Sequence, residues 1–234
     1  MKNLVIDIET VPTQKDGALA AIRSGIKPPG NISKQETIDK WMAENADTAA
    51  DEAYRKTALN GTEGEIVCIG WSIDDNPVET VYRELWQSET TMLANFYALL
   101  SPANERTAEA FADLGIDNEY RIIGHNVLNF DARFLFQRSV VCGVKPSFNL
   151  RQDERYNGGK CYDTMLAWAG WGNRISLVNL CAVLNIPVKQ GDITGATVWD
   201  AVQAGRIAEV AEYCKTDVEA TRSAYIRMTF QEGL

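Results

Sequence analysis

Apolar positions along this chain fall into short runs of two kinds, and their spacing predicts the elements. Leu4-Val5-Ile6 sits inside a run that reads as a strand over residues 2–8. Residues 65–73, from Glu65 through Ile66-Val67-Cys68-Ile69 to Ile73, predict a second strand. Asp74-Asp75-Asn76-Pro77 is turn chemistry, so residues 78–86 read as the returning strand of a hairpin. Arg121-Ile122-Ile123-Gly124 ends a further short strand. Period-3.6 spacing predicts helices over 89–100, 131–142, 163–170, 176–185, 197–204 and 206–228. Residues 101–119 are mixed and suit a short helix, and 145–162 are polar and loop-like.

Residues 13–62 interrupt this order. Lys27-Pro28-Pro29-Gly30-Asn31 reads as a loop, and Ser33 with Glu36 three residues on forms a capping-box pattern. Ile38, Trp41, Met42, Ala46, Ala49 and Ala53 then recur at helical spacing until Asn60-Gly61 stops the helix. Early strands followed by helices that cover a sheet predict a mixed α/β sandwich. The length of 234 residues fits one domain, 1–234, with a helical insertion at about 13–62.

Four acids disturb the apolar pattern. Asp7 and Glu9 lie two apart, so in a strand they share one face while Ile6 and Ile8 share the other. Two like charges at a core edge repel and lose hydration, which a divalent cation would compensate. A solvated strand end is the alternative. In the last helix Ile207, Val210, Cys214, Val218, Thr221, Tyr225 and Met228 trace the buried face, and Asp217 falls on that stripe one turn after Tyr213. Asp217 is either a site residue or an edge residue paired with Lys215 or Arg222. Asp131 follows Phe130 at a helix start, where an acid also serves as an ordinary cap.

Charge and cysteine usage narrow the function classes. The net charge of −9 argues against a protein that coats duplex nucleic acid through a basic surface. An acidic enzyme can still act on nucleic acid where metal ions supply local positive charge. The five cysteines form no CxxC pair, which argues against zinc and a disulfide framework; Cys68, Cys142 and Cys214 lie in apolar patterns and read as buried thiols. No apolar run reaches membrane-spanning length, and no basic segment with an apolar signal region opens the sequence. The expected location is the cytoplasm.

Taken in order, Asp7-x-Glu9-Thr10, Asn126-x-x-x-Phe130-Asp131 and Tyr213-x-x-x-Asp217 resemble the three motifs of the DEDD 3′–5′ exonuclease superfamily in its tyrosine-containing (DEDDy) branch. Tyr162-Asp163, Ser176-Leu177-x-x-Leu180 and Gly205-Arg206-Ile207-x-x-Val210-x-x-Tyr213-Cys214 resemble, more narrowly, predicted exonucleases related to the proofreading domain of family B DNA polymerases. The segment from Pro29 to Ile38 resembles an insertion of phage and prophage versions, which implies a bacterial or phage-infected cell. The resemblance implies a ribonuclease-H-like α/β fold: a mixed five-stranded sheet, second strand antiparallel, flanked by helices. It implies that Asp7, Glu9, Asp131 and Asp217 organise two divalent cations, Mg²⁺ or Mn²⁺, and that Tyr213 orients the attacking water. It implies that Thr10, Asn126 and Phe130 approach the substrate's 3′ end. Tyr213 is a poor general base, since a free phenol has a pKa of about 10.

The activity so implied is metal-dependent 3′–5′ hydrolysis of single-stranded DNA to nucleoside 5′-monophosphates. An exoribonuclease with the same site, or a non-catalytic module that binds nucleic acid or a polymerase, are the alternatives; the implied partners are single-stranded 3′ ends, of DNA or RNA, and replication or repair proteins. Arg133, Arg138, Arg151, Arg155 and Lys160 either touch phosphates further back or lie on a solvated surface. His125 reads as a loop-stabilising residue, Asp163 as a structural or supporting acid, and the insertion helix as either core packing or a substrate lip.

Overall fold

The computed structural model describes residues 1–101, 120–150, 160–188 and 191–231. The short helix expected within 101–119, and Arg151 and Arg155, lie outside the described residues. A five-stranded sheet is built from β1 (Lys2–Val11), β2 (Glu65–Ile73), β3 (Glu79–Tyr82), β4 (Tyr120–Gly124) and β5 (Cys161–Asp163), in the order β3-β2-β1-β4-β5. β2 runs antiparallel to both β1 and β3, while β4 and β5 run parallel to β1 and to each other. This is the ribonuclease-H-like arrangement, with its second strand reversed.

β1 is central because it is apolar on both faces. Leu4, Ile6 and Ile8 pack with Phe96 of α3 (Glu89–Leu100) and Phe134 of α4 (Asp131–Cys142). On the other face lies α8 (Ile207–Met228): its Val218 packs with Val5, and its Val210 and Cys214 with Val11. α8 is covered in turn by α6 (Leu177–Val183) and α7 (Val198–Gln203), and α5 (Thr164–Ala169) follows β5 directly. The close approach of α8 to the sheet depends on Gly70. A Cβ there would stand 2.9 Å from Cys214 Sγ and 3.1 Å from Val218 Cγ2, too near for either.

Several boundaries differ from the sequence reading. β1 continues to Val11 instead of ending at residue 8, because β2 keeps pairing with it as far as Val11↔Glu65. A bulge between Glu9 and Thr10 gives β2 an extra residue, so Val67 and Cys68 both fall on the α8 side. β3 is four residues long, shorter than the expected 78–86. It ends where Arg83 turns inward: the buried guanidinium donates to the Ile66 carbonyl at 2.9 Å and pairs with Glu65 at 2.5 Å. The three-residue β5 falls across the end of the segment that reads as loop, 145–162, and the start of the expected helix, being too short to show a period.

The insertion holds two helices, α1 (Ala18–Gly25), unforeseen, and α2 (Gln35–Lys56), followed by a 3-10 turn at Thr57–Leu59. The capping box does not form: α2 starts at Gln35 with Lys34 as its cap and no side-chain hydrogen bond, leaving Ser33 one residue too early. Of the expected apolar stripe only Ala46 is fully buried, joined by Ala50.

Arg138 is neither on a solvated surface nor free for phosphate. It is buried and makes a two-pronged pair with Glu89, Nη2 to Oε2 at 2.5 Å, while Glu89 also accepts the Ile66 N–H at 2.8 Å. A pair so desolvated is costly to break from one side. Arg138→Ala should therefore lower stability by about 3–5 kcal/mol. The double variant Glu89→Gln/Arg138→Met, which keeps an acceptor for Ile66, should recover most of that loss in urea unfolding. Gly70→Ala should cost about 1–3 kcal/mol by overpacking the α8 contact, read the same way.

Candidate active site

Two of the four carboxylates are placed by an interruption in the sheet. β1 loses its parallel partner after Val5↔Ile123, because β4 ends at Gly124, yet β1 runs on alongside β2. The Ile8 N–H beyond that point needs an acceptor. Asp131 Oδ1 supplies it at 3.1 Å, so the first residue of α4 is fastened between Asp7 and Glu9. The connecting segment is tightly specified. A Cβ at Gly124 would meet Val127 Cβ at 2.5 Å, and Asn126 turns the chain with φ of 66°. Asp163, 0 % exposed, accepts the N–H groups of Asn126 at 3.0 Å and Leu128 at 3.2 Å, and also caps α5. His125 bonds Thr164 Oγ1 and the Ile175 carbonyl, each at 2.9 Å, which is the loop-stabilising role read from sequence.

The other pair of residues comes from α8. Helical spacing sets Tyr213 and Asp217 one turn apart, so the phenol and the carboxylate share one end of the site and perturb each other. Gly70 is the β2 partner of Asp7, so the close contact at Gly70 is what brings α8 down beside Asp7. Arg222 is engaged elsewhere, donating to Asn76 O at 2.7 Å and Ser72 Oγ at 3.3 Å. That removes one of the surface pairings considered for Asp217.

The four acids feel one another. Burial first, then the charges of Asp131 and Asp217, holds the Asp7 carboxyl well above the usual range. Glu9, 7 % exposed, is raised in the same way by burial and then by Asp7. Asp131, 2 % exposed, is pushed up to about 7 by burial, and Asp217 to about 6 by burial. Burial and the charges of Glu9 and Asp217 hold the Tyr213 phenol well above its ordinary value, so it stays protonated and acts as a donor.

A cluster of buried and half-buried carboxyls with no cationic side chain paired to it among the described residues is a fit for a hard cation. Ligand atoms of Asp7, Glu9 and Cys214 lie within 4.8 Å of one another. Cys214 is a poor member of that set. Burial pushes its thiol well above the ordinary range, and Sγ instead donates to Asp7 Oδ2 at 3.4 Å. The carboxylates that remain form an all-oxygen donor set, suited to Mg²⁺ or Mn²⁺.

The residues expected near the substrate flank this cluster. Thr10 directs its hydroxyl to the Ala58 carbonyl at 2.7 Å, so that hydroxyl serves the insertion, not a ligand. Phe130 is half-buried, its ring 5.5 Å from that of Phe134, and it lines a cleft of about 480 Å³ together with Glu9 and Thr10. Asn126 is half-buried in the loop that leads to Asp131. Arg133 is exposed on α4, and Arg138 is removed from the set by its buried pair. Cys142 is half-buried, whereas Cys68 and Cys214 are fully buried as expected. Sequence reasoning missed the roles of Gly70 and Cys214. A glycine within a strand run signals close approach, and that was the available clue.

Among the described residues no helix is long and apolar enough to cross a membrane. A search of curated proteins returns no match. A family model described as "Predicted 3'-5' exonuclease related to the exonuclease domain of PolB" matches residues 78–234. That span holds Asp131, Tyr213 and Asp217; Asp7 and Glu9 precede it and reach the same place through β1. The chain belongs to this family of predicted 3′–5′ exonucleases.

Proposed function

We propose that this protein hydrolyses phosphodiester bonds at the 3′ end of single-stranded DNA, releasing nucleoside 5′-monophosphates, with two divalent cations held by Asp7, Glu9, Asp131 and Asp217. The observation that carries this reading is the convergence of those four carboxyls, brought from three elements distant in sequence, with no cationic side chain paired to them among the described residues. Two cations held there would neutralise the phosphoryl oxygens, lower the pKa of an attacking water and stabilise the leaving oxygen. Asp7, whose carboxyl is raised by the charges of both Asp131 and Asp217, would serve both ions. Glu9 and Asp217 flank the side on which Tyr213 stands. The protonated Tyr213 hydroxyl orients the nucleophile by hydrogen bonding and takes no proton from it. Asp131, fixed by the Ile8 N–H, holds the other side. Asn126 and the Thr10 backbone would meet the terminal sugar. Base specificity should be low, since stacking tolerates any base.

A 5′-labelled oligonucleotide with Mg²⁺ or Mn²⁺ tests the activity. The wild type should shorten it stepwise from the 3′ end, and Asp7→Ala should reduce the rate roughly 10³-fold or more. Matched DNA and RNA strands assign the sugar preference; an intact substrate with both proteins defeats the reading.

The acids also set a pH dependence. Asp131 at about 7 and Asp217 at about 6 stand above the ordinary carboxylate value near 4. Between about pH 4 and 7 the metal-free folded chain therefore binds more protons than the unfolded one. Their contribution to stability is present at low pH and is lost as pH rises through that window. Thermal melting of metal-free protein should show Asp7→Asn more stable than wild type at pH 8. Mg²⁺ or Mn²⁺ should raise the wild-type Tm more at pH 8 than at pH 5, because binding displaces protons. Asp7→Asn should lose that rise, and a wild-type Tm indifferent to metal at both pH values would count against the cation site.

A further inference from the structure

The far end of the insertion is joined to the strand that carries Glu9 and to the residues just after it at a series of points. Tyr54 donates its hydroxyl to the Thr13 carbonyl at 2.9 Å, Thr57 Oγ1 accepts the Thr13 N–H at 3.0 Å, and Thr10 Oγ1 donates to Ala58 O at 2.7 Å. These bonds lay the end of α2 and its 3-10 turn along one side of the 480 Å³ cleft; Ile8, Glu9, Thr10 and Phe130 line the other, and Trp199 of α7 closes it. The cleft is of a size that takes one small molecule, and it is mostly apolar with few polar groups, as binding clefts are.

Leu59, Lys56 and the exposed Glu52 of the insertion face that cleft with no ion pair or side-chain hydrogen bond among the described residues. Leu59 is 69 % exposed, a large apolar side chain left in water beside the carboxyl cluster. Lys56 is exposed and has no ion pair among the described residues, whereas its neighbour Arg55 is held by Asp51 and Asp200, each at 2.7 Å. An apolar wall, an aromatic on either side and one uncommitted cation complement a nucleotide, with its flat base and its phosphate. A larger cavity of about 770 Å³ beside Tyr54 includes none of the four acids of the cluster: Asp16, Asp47 and Asp51 line it with Lys15, and its Arg23 is tied to Asp47.

Building on the exonuclease reading, we infer that the end of the insertion forms one wall of the seat for the substrate's terminal nucleotide, with Leu59 packing on the base or sugar and Lys56 contacting a phosphate. The insertion is then part of the substrate-binding surface and not only a covering of the core.

The test uses the full chain and two readouts. Steady-state cleavage of a single-stranded oligonucleotide should show Lys56→Ala and Leu59→Ala each raising KM about three- to tenfold, with a smaller change in kcat, and Lys56→Arg restoring most of the loss. Titration with dAMP and Mg²⁺, followed by the Trp199 fluorescence identified through Trp199→Phe, should show a saturable quench that weakens in the same two variants. Both side chains are exposed, and unchanged thermal melting confirms that the variants fold. KM and dAMP affinity within twofold of wild type in both variants overturn the inference. If the wild type cleaves no oligonucleotide, the exonuclease reading falls by itself. The dAMP titration then decides the cleft alone: a quench sensitive to Lys56 and Leu59 upholds the seat, and its absence rejects it.

Discussion

Four carboxyl groups, two buried and two half-buried, are held close enough to perturb one another, and the rest of the molecule is arranged to keep them there. Each would ionise readily in solvent, and each loses hydration on folding while gaining like-charged neighbours. Burial leads the causes of every upward shift in the cluster, with mutual repulsion following for Asp7, Glu9 and Asp131. A fold that accepted this cost for stability alone would be at a disadvantage against one with apolar residues in the same places. Positive charge arriving from outside would offset the cost, and an all-oxygen donor set is one that suits hard divalent cations.

The scaffold fixes the cluster by backbone geometry more than by side-chain pairing. The early end of β4 leaves the Ile8 N–H open, and Asp131 fills it. Gly70 lets α8 settle on the sheet at the level of Asp7. Asp163 holds the turn that leads into α4 by taking two of its N–H groups. Each device acts on a different element, so the acids approach from three directions and none can retreat into solvent without moving a strand or helix. Such rigid support is what an electrostatic site requires, because misplacement of about an ångström is costly in rate.

Much of this was legible in the sequence. β2, α3, α4 and α8 show clear apolar periods, and their observed limits fall on or within a residue of the expected ones. The misplaced charges of Asp7, Glu9, Asp131 and Asp217 were visible because each interrupts such a period. What the pattern could not show was set by tertiary contact. β5 is three residues long and exists only because β4 offers an edge. Arg138 looks like a surface cation until Glu89, 49 residues away in sequence, meets it inside the core. The Thr10 hydroxyl was available to a ligand on paper; its commitment to Ala58 depends on how the insertion returns to the sheet.

The family pattern begins at residue 78, after the strand that supplies Asp7 and Glu9 and after the whole insertion. Physical coupling nonetheless makes the two halves one site. Asp131 and Asp217, inside the matched span, are each perturbed in an environment that β1 helps to close, and the Asp7 carboxyl is raised by both of their charges. Without β1, Asp131 would lose the N–H it accepts and the buried surroundings that raise it. A segment that also carries the attachment points of the insertion, at Thr10 and Thr13, thus links the carboxyl cluster to the cleft beside it. Because the same strand bears the acids and anchors the wall, a shift in one displaces the other, and the insertion cannot be exchanged or removed without disturbing the geometry around Glu9.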